Sequence, residues 1–481
     1  MTGLFSPTVI GFSPEFSLYL FTFLISFVGF MISMIFPFDY YLFSFVVLLI
    51  FFTFLFISKE IYSLKPAHIA TFLAFFSFHI NYLVTGKLYH YDLCIFNLSA
   101  FYITMCIYAL LLGFYMTKER CSKIKFDVFG YYPSRAIILL LGLFSIAVTL
   151  FFNVIGYKTT HTAVAEKSIF IFDLLIFIKN SLNSILYFDL FFHLLHKKRV
   201  KYQIIEFLLV FINIFFGLTS GSRGAVLIGL FIVPYLYILI KRQIPFKMIA
   251  FALLFLVFII PVSLAYRESS LFSTVSNRSI SSKIPAILNA LKSIEINGTV
   301  IAFAFAYIFG RFSRLEQSLR IIDWSPAKTP YMYGRTIFPH ILISLVPTAL
   351  YPDRPLSNIG KWFGVTYAFT EPKNPVFITA GIFNELYINF SVFGLFGCFL
   401  GGLIMKKIYS FWKYHKDSLF VNLFYFSFWN GLCFWLNEAY IVSGILDFVK
   451  STIILFFVFI CIYFIDGNKK RLCWEEKPWK N

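Results

Sequence analysis

The chain has 481 residues, of which 59% are hydrophobic, 21% aromatic and only 13% charged, with a mean hydropathy of +0.80. This is too apolar for a soluble domain, and apolar runs near the roughly 20 residues that cross a bilayer recur along its length. The formal net charge of +18 is spread through short connectors between those runs, which argues against a nucleic-acid partner and for lipid headgroups and topology as its source.

The first 16 residues contain no Lys or Arg, and no small-residue cleavage site precedes the first run, so that run reads as a retained span. Nine candidate spans come before a break: Tyr19–Phe36, Tyr41–Ile57, Ala67–Val84, Ile95–Met116, Ala136–Ile155, Phe170–Leu195, Ile204–Leu218, Ala225–Ile240 and Met248–Ala265. Three follow it: Ile382–Ile404, Leu419–Leu436 and Phe448–Ile465. The seven cysteines form no CxxC pair and mostly sit in or beside apolar runs, so they read as small packing residues, with neither a metal site nor a disulfide framework indicated. The abundance of Phe, 67 residues, needs no groove, since any apolar side chain satisfies a lipid-facing position.

Basic residues cluster in the connectors after the second, fourth, sixth and eighth runs, which places those connectors and the N-terminus in the cytoplasm. The chain then emerges outside after the ninth run, so that Lys406, Lys407, Lys413 and Lys416 after the tenth, and Lys469, Lys470 and Arg471 at the end, fall inside. The expected architecture is an all-α polytopic membrane protein of about 12 transmembrane helices with one large external loop. Residues 1–265 form spans one to nine, 266–380 the loop with short or re-entrant helices, and 381–481 the last three spans and a cytoplasmic tail. The apolar Thr336–Tyr351, interrupted by Pro339 and Pro347, has to be re-entrant or superficial for this scheme to hold. Gly394, Gly397, Gly401 and Gly402 are expected on one face of the tenth span for close helix packing.

The external loop holds twelve Lys and Arg against six Asp and Glu. Arginine suits an anionic substrate because its planar fork holds phosphate oxygens bidentately and stays charged; an ordinary solvated domain would carry the same surplus. Between the seventh and eighth spans lies Thr219-Ser220-Gly221-Ser222-Arg223-Gly224. Its glycines let the backbone approach a ligand and expose N–H groups, and Arg223 adds fixed charge, a combination suited to phosphate. A helical hairpin with a snorkelling Arg is the plain alternative. In the loop, the spacing of Arg311 and Arg314 puts both on one helical face, with an Arg314–Glu316 ion pair as the structural alternative. Arg354 is presented between two prolines. Glu385, at the outer end of the tenth span, is the first candidate for a general base, or else a charge complement to a helix N-terminus. Asp353 and His340 are the other candidates, and Tyr387 is placed to line a substrate groove or anchor the interface. The sixth span carries Asp173, Lys179, Asn180, Asn183 and Asp189, either lining a cavity or path within the membrane or forming a structural cluster.

Ser220-Gly221-Ser222-Arg223-Gly224-Ala225, the segment with Pro347, Pro352, Arg354 and Pro355, and Asn384-Glu385-Leu386-Tyr387-Ile388-Asn389-Phe390 together resemble the bacterial O-antigen (Wzy-type) oligosaccharide repeat-unit polymerases. The likeness in motif covers about a tenth of the chain. One departure is Ser391, where the pattern more often reads Asn-Phe-Gly. The resemblance implies a metal-independent and cofactor-independent glycosyltransferase in the bacterial inner membrane, with both termini cytoplasmic and the active site facing the periplasm. It would transfer the growing glycan from undecaprenyl diphosphate to a new lipid-linked unit, with a chain-length regulator as a further partner. Arg223, Glu385 and Arg354 are then the expected catalytic residues. Ser220, Gly221, Ser222, Gly224, Arg311, Arg314, His340 and Tyr387 are the expected substrate contacts. An O-antigen ligase, favoured by His340, and a polysaccharide transporter or flippase are the competing readings.

Overall fold

The computed structural model describes residues 14–117, 133–154, 170–195, 203–219, 313–346 and 359–465 apart from short connectors within those ranges, together with isolated positions between 237 and 254. Among these residues every regular element is helical. Five helical stretches are long and apolar enough to cross a bilayer: Phe16–Ile35, Tyr40–Ile57, Leu93–Met116, Ile382–Tyr414 and Ile441–Ile465. Their outward faces display side chains such as Phe21, Ile35, Ile57, Met116, Phe393 and Phe464 to the surroundings. Exposed apolar surface on this scale fits hydrocarbon and not water. The protein is a helical, membrane-embedded body.

Helices α1 (Pro14–Ile35) and α2 (Tyr40–Ile57) pack as a hairpin. Asp39 caps the second, accepting the Leu42 N–H at 3.1 Å. α3 runs from Pro66 in three contiguous pieces, Pro66–Ala74, the π-type turn Phe75–Ile80, and Asn81–Thr85. The sequence showed only an uninterrupted apolar run there, because a π turn changes the hydrogen-bond spacing and leaves composition untouched.

α4 (Leu93–Met116) is the central helix, packed against α1, α2 and α3. α5 (Arg135–Val154), α6 (Phe170–Leu195) and α7 (Gln203–Thr219) form a second group. Within it the Ser145 hydroxyl lies 2.5 Å from Asn183 Oδ1 and 3.4 Å from Asn213 Oδ1, tying the three helices together. The polar stripe of the sixth span therefore includes an interhelical hydrogen-bond cluster.

The loop residues described fold into α8 (Leu315–Trp324), α9 (Phe338–Leu345) and α10 (Ile359–Thr366). At eight residues α9 rises about 12 Å and is too short to span about 30 Å of hydrocarbon. α11 (Ile382–Phe390) follows, then a break at Ser391–Phe393, α12 (Gly394–Tyr414), α13 (Leu419–Glu438) and α14 (Ile441–Ile465).

The expected tenth span is thus two helices. α12 alone rises roughly 31 Å and is long enough to cross by itself, with α11 a separate short helix ahead of it. Lys406, Lys407 and Lys413 belong to α12 and not to a connector after it. Lys406 is buried, its ammonium 4.9 Å from the centre of the Phe114 ring, an aromatic face that stabilises a cation away from water. α14 begins seven residues before Phe448, so the last span is longer than its apolar run.

α4 and α12 cross closely. A methyl group on Gly402 would run into the Leu110 carbonyl, and one on Gly113 into the Phe399 carbonyl. Gly394 abuts the Tyr102 hydroxyl and Gly397 the Leu386 side chain. Gly401 faces open space, so it does not share the packed face expected of all four; at 100° per residue, adjacent Gly401 and Gly402 cannot point the same way. Cys106 and Cys398 are buried as small packing residues, whereas Cys94 and Cys461 lie exposed on their helices.

Candidate functional site

The loop helices are folded onto one end of the membrane body. α8 buries Leu315, Leu319, Ile321 and Ile322 and packs against α4 and α11. The Ser318 hydroxyl meets the Ser99 hydroxyl of α4 at 2.8 Å, and Ser99 in turn lies 3.1 Å from the Tyr41 hydroxyl. The π-type turn of α3 supplies a second dock: the Ser77 carbonyl accepts the backbone N–H of Arg314 at 3.3 Å. This part of the loop is not a separately solvated domain.

Arg314 precedes α8 with φ −123° and ψ 12°, outside helical geometry. The shared helical face expected for Arg311 and Arg314 is not what the chain forms at Arg314, and Arg311 lies outside the described residues. Arg314 is buried; its guanidinium donates to the Ser313 carbonyl at 2.8 Å and the Thr379 hydroxyl at 3.2 Å. Glu316 pairs not with Arg314 but with Arg320, at 3.0 Å, one helical turn further on. Arg320 also donates to the Tyr367 and Ala368 carbonyls at 3.1 and 2.9 Å and lies over the Phe369 ring. With its donors so committed, Arg320 latches α8 to the turn after α10.

α11 carries the centre of the site. Glu385 and Asn389, four residues apart, share the helix face turned to residues 331–336. The Glu385 carboxylate is buried, with one oxygen accepting the Thr336 hydroxyl at 3.0 Å and the other the Ile441 N–H at 2.6 Å. Asn389 donates to Thr336 Oγ1 at 2.7 Å and accepts the Gly334 N–H at 3.0 Å. The carbonyls of Ile388 and Asn389, which a helix end leaves without intrahelical partners, accept the N–H groups of Met332 and Tyr333 at 2.9 and 3.0 Å. Glu385 thus caps a helix N-terminus, that of α14 and not its own. A carboxylate this enclosed would have to give up one of these bonds to serve as a base.

Around this clamp, Tyr440 donates its hydroxyl to the Ile378 carbonyl at 2.6 Å. Burial first, and the Glu385 carboxylate second, hold the Tyr440 phenol well above its ordinary range. Tyr387 is buried, edge-on to Tyr102 at 4.8 Å and to Tyr331 at 6.0 Å between ring centres. The Ser391 hydroxyl donates to the Tyr331 hydroxyl at 3.0 Å. Arg335 and Tyr333 are exposed at the same end. His340 sits half-buried on α9, and this desolvation lowers its imidazole below the usual value.

Of the residues singled out in the sequence, the structure brings Glu385 and Tyr387 together on α11, with Arg314 and His340 on neighbouring segments. Ser220, Gly221, Ser222, Arg223, Gly224, Arg311, Arg354 and Asp353 lie outside the described residues. Sequence reasoning missed Thr336, Tyr331 and Tyr440. Asn389 was quoted only as part of a motif, although its spacing of four from Glu385 already signalled a common face. Comparison with protein-family models, curated proteins and solved structures gave no match.

Proposed function

We propose that the chain is a polymerase of lipid-linked oligosaccharide repeat units, acting at the outer face of a bacterial inner membrane. The supporting observation is the polar cap built from residues 313–346 and 359–390. Arginine, tyrosine and hydroxyl groups are gathered on the end of an otherwise apolar helical body, around the Asn384–Phe390 segment that carries the family resemblance.

In the reaction, the C1–O bond between the growing glycan and undecaprenyl diphosphate breaks as a hydroxyl of the new unit's terminal sugar bonds to C1. The diphosphate leaves with the electron pair, and the hydroxyl gives up its proton. Because diphosphate is already a good leaving group, cations that hold it and absorb its developing charge supply most of the catalysis. Arg223 and Arg354 are assigned that role, with Ser220, Gly221, Ser222 and Gly224 offering hydroxyl and backbone donors, and Arg311 and Arg314 flanking. Glu385 is retained as candidate base through the Thr336 hydroxyl.

The test is the glycan ladder of a deletion strain. Lipopolysaccharide capped with a single unit supports the polymerase. No capped molecules at all would assign a ligase, and lipid-linked units retained on the cytoplasmic side a flippase.

A further inference from the structure

Non-glycine residues with positive φ are strained, and a bulky one is a genuine outlier. Among the described residues there are three: Tyr333 at 48°, Ala368 at 52° and Ser391 at 56°. Tyr333 and Ser391 flank the same helix end. Tyr333 is held by the Asn389 carbonyl, and Ser391 follows Phe390 directly as the C-cap of α11, with ψ −139°. That combination is one that essentially only glycine adopts without cost.

Glycine at either position would relieve the backbone, so what the chain retains there is the side chain. At Ser391 this is a hydroxyl bonded to the Tyr331 hydroxyl, both residues being half-buried. At Tyr333 it is a ring left 75% exposed, on a backbone fixed at both Tyr333 and Gly334 by Asn389. Fixed hydroxyls that both donate and accept, beside a presented aromatic face with a polar tip, match a pyranose, which has hydroxyl edges and an apolar face.

We propose that Tyr331, Tyr333 and Ser391 form a sugar-binding subsite at the junction of α11 and α12, with Tyr333 as the stacking platform and the Ser391–Tyr331 hydroxyl pair reading a sugar hydroxyl. The proposal rests on the glycan reading above and adds the surface that holds the saccharide apart from its diphosphate.

The test uses full-length Ser391→Gly, Tyr331→Phe and Tyr333→Leu chains in the deletion strain. Three quantities are read: the glycan ladder, the melting temperature of the detergent-solubilised protein, and NMR saturation transfer to the oligosaccharide released by mild acid from the host's lipid-linked glycan. Ser391→Gly melts at or above the wild-type temperature, yet long chains fall at least tenfold, and all three variants lose saturation transfer. Wild-type ladders in all three, where the deletion itself abolishes the ladder, overturn the subsite and leave the polymerase standing. An intact ladder in the deletion strain removes both. Loss of inserted Tyr333→Leu protein with transfer unchanged would assign the ring to membrane anchoring and overturn the proposal.

Discussion

Glu385 and Ile441 are joined by a 2.6 Å hydrogen bond from the backbone N–H to the carboxylate, across 56 positions of sequence. A side chain of α11 thereby caps α14, and the loop turn at Thr336 is held by the same carboxylate. Replacing Glu385 by Ala leaves the buried Thr336 hydroxyl and the partly buried Ile441 N–H unmatched and costs about 2–4 kcal/mol. Glu385→Gln keeps an acceptor for Ile441 and costs about 1 kcal/mol. Thermal melts give the stability and the glycan ladder the activity. Lost polymerisation in Glu385→Gln with a near-normal melt identifies proton transfer, whereas unchanged ladders exclude Glu385 as the base.

Asn389→Ala removes the acceptor of the Gly334 N–H and the donor to Thr336, and destabilises by about 2–4 kcal/mol. Protease sensitivity between residues 331 and 337 rises with it, because that turn has lost its anchor, while cleavage within α4 is unchanged. Limited proteolysis read by mass spectrometry checks both.

The two adjacent glycines of α12 separate packing from propensity. Gly402→Ala drives a methyl group into the α4 backbone and destabilises by about 1–3 kcal/mol. Gly401→Ala meets open space and stabilises by roughly 0.5–1 kcal/mol, the helix preference for Ala over Gly. Detergent-phase melts of the pair must move in opposite directions.

Arg223→Ala abolishes long glycan chains while the protein stays inserted, and Arg223→Lys remains impaired because a point charge does not reproduce the bidentate fork. Wild-type ladders in both, at equal protein levels, would remove Arg223 from the mechanism.

His340 is held below its ordinary imidazole value by burial. Below about pH 6.5 the unfolded chain binds this proton more readily than the folded one, so the contribution to stability is lost as pH falls. The melting temperature of wild type minus that of His340→Gln therefore declines between pH 7 and pH 5 and is flat above pH 7.

The five stretches long and apolar enough to cross a bilayer were legible as apolar runs, because some twenty such residues in a row have few other uses. For α1, α2, α4 and α6 the boundaries follow from hydropathy to within a few residues. Besides the π turn of α3, two features were not legible. The break between α11 and α12 falls inside one continuous apolar stretch, where neither Ser391 nor Val392 is a helix breaker by type. The Glu385 clamp joins three segments far apart in the chain, and pairings of that kind leave no local trace. Lys406 and Lys407 misled in the opposite direction, since a charge count assigns lysines to connectors, while an aromatic neighbour lets one sit inside a helix.

A π turn is a helix with one residue more than its ladder can use. In α3 this turn carries the Ser77 carbonyl that receives the Arg314 N–H, so where this docking point lies depends on how many residues the helix contains as well as on which they are. Deleting one position between Phe75 and Ile80 would restore regular winding and swing everything after it by about 100°. The cap would lose its seat without any contact residue having changed identity. Chain length, at this one turn, is the conserved quantity to look for.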